Sequence, residues 1–333
     1  MERKSDKLAL EQQFPSIIKS YQFIETLGVG AYGMVAMYYN QTDEQFYAIK
    51  LESAEAMQQS LLREKMFLQQ LLEEDEEREL PIPWIYDYGT TKNNQGKSFV
   101  YLVMDYYNFS LEEYYQLHIL NGDDYDQYIH QLKEFIGKLL NCLVKFHSKN
   151  RIHRDIKAQN MRVGINSNFQ DEESSEYQVY MIDFGTSLLS SQINTQRQNN
   201  DLIGSTITAS KFIHQGLYYT QYDDLISALY TILFLIQEDN TFIQELIEFS
   251  NKDQSLANQE AVRQLKEQLN PAYFGLNIAK NIITLIKEIE IQVNDKRPLI
   301  NTDYVDAQSL VTKIFKEEEI FIPKEITIKE KIK

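Results

Sequence analysis

The stretch HRDIKAQN, residues 153–160, places three polar side chains of different chemistry close together: Asp155, Lys157 and Asn160. A carboxylate at 155 can accept a hydrogen bond from an attacking hydroxyl and orient it. An amine at 157 can neutralise charge on a group in transfer, and the carboxamide at 160 offers a hard oxygen to a divalent cation. Downstream, IDFG at 182–185 adds Asp183 as a second oxygen donor for metal. Such a set suits phosphoryl transfer, where catalysis is mostly positioning and charge stabilisation.

Two upstream features bear on the same chemistry. GVGAYGMV, residues 28–35, is a Gly-x-Gly-x-x-Gly-x-Val pattern containing Gly28, Gly30, Gly33 and Val35. It lies between two expected strands, a context that disfavours a dinucleotide fold and favours a flap over nucleotide phosphates. Taken alone it fits a hairpin rich in glycine for turn reasons equally well. FYAIK ends in Lys50, and Glu64 follows on an expected helix. A strand lysine aimed at phosphate oxygens needs a carboxylate to hold its flexible stem, although in isolation the pair reads as an ordinary surface ion pair. It is the conjunction of flap, pair, loop and IDFG that chance explains poorly.

The elements that must position these groups change character along the chain. Residues 21–51 alternate in strand fashion, with NQTDEQ as a polar turn, and SAEAMQQSLLREKMFLQQLLEE follows with Leu61, Leu68 and Leu72 at helical spacing. The acidic run EEDEERE reads as a solvated loop. After the strand SFVYLVMDYY, helices dominate: residues 128–147 carry an apolar stripe, and 225–236, 241–249, 257–269, 277–290 and 305–316 look helical. NSNFQDEESSEYQ, 166–178, reads as an exposed hairpin loop. The expected class is α+β, a strand-rich part with one main helix followed by a mostly helical part.

With these residues in place, the chain resembles a eukaryotic protein kinase, and more narrowly the casein kinase 1 family. The narrower likeness rests on KLESAEAMQQSLLREKMFLQQL, SLEEYY, FHSKNRIHRDIK, LIGSTITAS where other kinases have Ala-Pro-Glu, and YDDLISALYTILFL. It spans about residues 20–320 and implies a bilobal fold: an N-terminal extension over 1–20, an N-lobe over 21–106, a C-lobe over 107–320 and a short tail over 321–333. By position it implies ATP bound with Mg²⁺. Gly28, Gly30 and Gly33 would cover the phosphates, Val35 and Ala48 pack on adenine, and Lys50, held by Glu64, grip the α/β-phosphates. Met104 falls at the gatekeeper position, Asp105 to Tyr107 form the hinge, Asp155 is the catalytic base with Lys157 beside it, and Asn160 and Asp183 hold metal. Lys157 two positions beyond Asp155 resembles serine/threonine kinases, so protein Ser/Thr hydroxyls are the implied acceptors. The short flanks lead us to expect no long inhibitory tail.

The chain departs from that family at three points. Arg162 stands where an apolar residue lies beneath adenine; its guanidinium could stack on the ring, turn to solvent, or occupy the slot. Ile207 takes the position of an arginine that reads substrate phosphate, with the preceding lysine position near Asn200, so phosphate priming should be weakened. KAQN also lacks the usual proline after Lys157. The alternative reading is a pseudokinase or structural subunit docked in a larger assembly. An abundance of Asn, Gln, Ile, Lys and Tyr consistent with an AT-rich genome makes a cytoskeletal or ciliary setting the expectation in that case.

Composition bounds the remaining possibilities. A formal charge of -16 over 333 residues opposes encounters with nucleic acid or anionic membranes, so neither is expected as a partner. The longest apolar run, 225–236, is too short to span a bilayer. A single cysteine, Cys142, sits in an expected helix interior and reads as a buried small hydrophobe, which fits an intracellular, cytoplasmic setting.

Overall fold

The computed structural model describes residues 14–29, 33–56, 60–121, 124–165, 177–195, 202–237, 239–250, 255–294 and 306–316. Gly30, most of the expected 166–178 loop, Asn200 and both terminal segments lie outside the described residues. The chain packs as two compact units: Met1–Asn108 with Ile182–Gly185, and Phe109–Met181 with Thr186–Lys333.

The first unit is built on an antiparallel sheet. Its strands are β1 (Ile17–Ile18), β2 (Tyr21–Val29), β3 (Gly33–Asn40), β4 (Gln45–Ser53), β5 (Ile85–Lys92) and β6 (Ser98–Asp105), in the order β1-β2-β3-β4-β6-β5. Period-two alternation decides its faces: Met34, Ala36, Tyr38, Tyr47, Ile49 and Leu51 enter the core, leaving Val35, Ala48 and Lys50 on the opposite, half-buried face. The polar turn forms because the Asn40 Oδ1 accepts the Thr42 N–H at 3.1 Å and Glu44 adopts φ 59°. Gly33 is required by close approach, since a Cβ there would overlap the Leu51 carbonyl across the β3–β4 pair. Helix α1 (Ser60–Glu73) buries Leu61, Glu64, Leu68 and Leu71 at three- and four-residue spacing. Its N-terminus is held by Glu52, whose carboxylate accepts the Leu61 N–H at 2.8 Å and the Ser60 hydroxyl at 2.9 Å.

The acidic run after α1 is exposed as expected except at one residue. Asp75 is buried because its carboxylate accepts the backbone N–H groups of Glu79 and Leu80 at 3.1 and 2.9 Å, closing the loop.

The second unit is mostly helical. A short strand β7 (Phe109–Ser110) leads into α2 (Leu111–Tyr114), capped by a reciprocal Ser110–Glu113 box, and a π-helical turn follows over Tyr115–Ile119. Helix α3 (Tyr125–Ser148) starts at the Asp124 cap and buries Leu132, Phe135, Ile136, Leu139, Leu143 and Phe146 along one stripe, with Cys142 beside them. After β8 (Arg151–Ile152), strands β9 (Met161–Ile165) and β10 (Tyr177–Met181) form with β7 a sheet of order β10-β9-β7, and β11 (Leu188–Leu189) pairs with β8. Helices α4 (Lys211–His214), α5 (Gln221–Ile236), α6 (Thr241–Ser250), α7 (Leu256–Gln268), α8 (Asn277–Asn294) and α9 (Ala307–Ile314) complete the unit. Helix α5 is apolar nearly all round, as a helix enclosed by others must be, and α8 packs against it. Among the described residues no helix is long and apolar enough to cross a membrane.

Candidate active site

In the first unit, β4 directs Lys50 toward α1, where its Nζ donates to the Glu64 Oε2 at 2.6 Å and to the Asp183 Oδ1 at 2.7 Å. Glu64 is 1% exposed, and its other oxygen accepts the Phe184 N–H at 3.2 Å. The pair is therefore not a surface ion pair. Burial alone would depress the Lys50 amine, but the Glu64 and Asp183 carboxylates override it and hold the amine above its ordinary value. Burial pushes the Glu64 carboxyl up, opposed by the Lys50 ammonium. Phe184 fixes the segment by stacking on Phe67 at 5.9 Å between centroids.

Asp183 adopts φ 66°, a left-handed conformation that costs a non-glycine residue about 1–3 kcal/mol and persists only when its surroundings dictate it. Its side chain is 45% exposed beside the Lys50 amine. One ammonium against two carboxylates leaves this trio short of one positive charge, which suits a divalent cation and polyphosphate oxygens.

Val35 and Lys50 are direct partners across β3–β4, and Ala48 and Met104 across β4–β6, so sheet register alone aligns four of the expected nucleotide residues. The Asp105 side chain is committed elsewhere, accepting the Trp84 N–H at 2.6 Å and the Tyr86 hydroxyl at 2.7 Å. Tyr107 follows in the half-buried segment that ends this unit.

The second unit contains the loop with Asp155. It is suspended from Asp224 in the first turn of α5, whose Oδ2 accepts the His153 N–H at 2.6 Å and whose Oδ1 accepts the Arg154 N–H at 2.8 Å. His147 at the end of α3 braces the same carboxylate at 2.9 Å, and burial lowers its imidazole below the ordinary value. Below the loop, the Thr186 hydroxyl donates to the His153 carbonyl at 3.0 Å and the Arg154 Nε to the Thr186 carbonyl at 2.5 Å. Arg154 is thereby forced to φ 70°, which turns Asp155 out of the run of the chain.

Asp155 is 8% exposed. Its Oδ2 accepts the Lys157 ammonium at 2.7 Å and the Asn160 amide at 2.9 Å, and the same amide also donates to the Asp155 carbonyl at 2.8 Å. The Oδ1, by contrast, is buried with no partner among the described residues. A buried carboxylate oxygen without a donor is costly to leave unmatched. Gly204, at φ 85°, packs against this loop, and a Cβ there would overlap the Arg154 carbonyl and stand 3.2 Å from that Oδ1.

Arg162 lies in β9, opposite Ser110 on β7 and Tyr180 on β10. Its neighbours Met161 and Val163 are buried, and the strand's alternation puts Arg162 on the half-exposed face. Hydrogen bonds from Ser110 hold the Glu113 carboxyl below its usual value, and the Arg162 charge adds to them. Arg162 itself is only half-buried, on the more exposed face of its strand.

A protein kinase domain model matches residues 21–319, which is most of the chain. The chain belongs to the protein kinase family. Kinases of this family use ATP and a divalent metal, and act on proteins. The kinase is similar to a probable casein kinase I homolog of Encephalitozoon cuniculi (strain GB-M1), 24% identical over 307 residues that cover 90% of this chain and 86% of the relative.

Several contributors escaped the sequence reading. His147, Thr186, Ser187 and Gly204 hold the loop around Asp155. Lys266 on α7, 4% exposed, donates to the carbonyls of Thr206 and Ala209 at 3.0 and 2.6 Å and so clips the segment around Ile207. Only the Gly204 of IGST and the Ser-Leu-Glu-Glu cap offered a sequence signal, the first as a turn and the second as a capping box.

Proposed function

We propose that this kinase is a serine/threonine protein kinase that transfers the γ-phosphoryl group of Mg-ATP to protein hydroxyls, without requiring a phosphate-primed substrate. The observation that supports it best is the Asp155 carboxylate, with one oxygen saturated by Lys157 and Asn160 and the other buried and unpartnered among the described residues. In this reading Oδ1 accepts the hydrogen bond of the acceptor Ser or Thr and orients its oxygen for in-line attack. Lys157 stabilises charge on the transferred group. The proton passes from the hydroxyl to the Asp155 carboxylate as the new O–P bond forms and the bond from the γ-phosphorus to the leaving ADP breaks.

Lys50, held by Glu64, takes the α/β-phosphates, with Gly28, Gly30 and Gly33 over the phosphates and Val35, Ala48, Met104 and the backbone of Asp105 to Tyr107 around adenine. Asp183 and Asn160 are the residues that would hold Mg²⁺, which neutralises charge on the phosphates when bound. The charge shortfall of the Lys50–Glu64–Asp183 trio and the Asn160 carboxamide, whose nitrogen is spent on Asp155 so that its Oδ1 is the atom left for a cation, suit that role. Ile207 offers no charge-assisted bond, which favours unprimed substrates. An intracellular setting supplies the ATP and keeps the unpaired, buried Cys142 reduced.

Purified chain incubated with γ-labelled Mg-ATP and a mixed protein substrate should yield phosphoserine and phosphothreonine on acid hydrolysis, and Asp183→Asn should abolish both. Equal labelling by the two proteins, or none by either, would sink the proposal.

A further inference from the structure

Next to the catalytic loop the second unit opens into a cavity of about 980 Å³ whose wall includes Lys157, Gln159, Glu112, Ile207, Phe234 and Asp239. Its charge is one-sided. Among the described residues that line it only Lys157 is basic, and that ammonium is already held by Asp155 at 2.7 Å. Glu112 and Asp239 are acidic and solvent-exposed, and Glu112 is placed beside the loop by the Gln159 amide, which donates to it at 3.2 Å.

The wall is also fixed in shape. Lys266 binds the carbonyls of Thr206 and Ala209 from behind, and its ammonium stands over the Tyr230 ring at 4.8 Å, so Ile207 sits between two tethered points. Thr206, Thr208 and Ala209 are buried while Ile207 remains half-exposed toward the cavity. A preorganised wall loses little entropy when a peptide settles on it.

We propose that this groove receives the substrate segment flanking the acceptor hydroxyl, and that it selects a lysine or arginine side chain there while rejecting glutamate or phosphoserine. The stem of the basic residue lies along Ile207 and Phe234, and its head reaches Glu112 or Asp239. Acidic or phosphorylated residues meet carboxylates on the wall and find no unpaired cation. The inference rests on the phosphoryl-transfer reading only for the place of the acceptor beside Asp155.

The test uses fluorescence anisotropy of the full chain with labelled peptides centred on serine, in which each of four positions on either side is set in turn to Arg, Ala, Glu or phosphoserine. Arg in at least one position should tighten binding about three- to tenfold over Ala, with Glu and phosphoserine weaker than Ala there. Glu112→Gln or Asp239→Asn should remove most of the Arg advantage, and Ile207→Arg should make the phosphoserine peptide the tighter ligand. Preference of the wild type for Glu or phosphoserine, an Arg advantage indifferent to both carboxylate variants, or no binding of any peptide would each overturn the proposal. Because binding needs no turnover, an inactive chain that still prefers Arg would uphold the groove and refute the transfer reading instead.

Discussion

Asparagine in place of Asp224 preserves shape and changes only what the side chain can accept. The carboxylate now takes the His153 N–H at 2.6 Å, the Arg154 N–H at 2.8 Å and the His147 ring at 2.9 Å, all in buried surroundings. If the new amide nitrogen replaces Oδ1, it confronts the Arg154 N–H; if it replaces Oδ2, it confronts the His153 N–H, even if His147 changes tautomer to accept from it. One backbone donor is orphaned in either rotamer, at about 1–3 kcal/mol, and the surviving bonds fall from charged to neutral strength. A total of about 2–4 kcal/mol corresponds to a drop in melting temperature of about 4–16 °C for a unit of this size. Phosphoryl transfer should fall by about 10–100-fold in protein that remains folded, because Arg154 and then Asp155 lose their anchor. Calorimetry and an initial-rate assay on the same preparation measure both. A melting temperature within 1 °C of wild type would refute the reasoning that Asp224 suspends the loop.

Other consequences follow from particular contacts. Burial lowers the His214 imidazole to about 2 and lowers His147 as well, while an unfolded chain takes up those protons near pH 6.5. Their contribution is therefore present above pH 6.5 and lost as pH falls below it. His214 alone should remove about 1 kcal/mol of stability between pH 7.5 and 5.5, and His147 adds in the same direction. Urea unfolding at the two pH values checks this, and a His214→Gln variant with an unchanged pH slope would contradict it. Gly204→Ala places a Cβ against the Arg154 carbonyl at φ 85°, so it should slow transfer at least tenfold with the nucleotide-dependent rise in melting temperature intact. Lys266→Met leaves the Thr206 and Ala209 carbonyls without their donor and should raise KM for protein substrate several-fold while KM for ATP stays level; equal changes in both would assign Lys266 a merely structural role.

Local pattern made much of this readable. Strand alternation over Met34 to Tyr38 and the apolar stripe of Leu132 to Phe146 announce their faces in the sequence, because each depends only on the geometry of its own element. The polar residues of HRDIKAQN were legible for the same reason, since Asp155, Lys157 and Asn160 meet within one loop. What stayed hidden depends on partners far along the chain: Asp224 on His147 and Lys266 on Thr206. Periodicity holds no record of such pairings. Asp75 misled for a related reason, as a carboxylate in an acidic run looks solvated until the backbone donors it caps are known.

The most direct measurement is single-turnover transfer from γ-labelled Mg-ATP to a serine peptide by the wild type and by Asp155→Asn, with nucleotide affinity measured in parallel. The account predicts serine phosphorylation by the wild type, a loss of at least about 100-fold in the variant, and nucleotide affinity unchanged between them. Transfer at equal rates by both proteins, or nucleotide binding by the wild type with no transfer to any serine or threonine peptide, would contradict it.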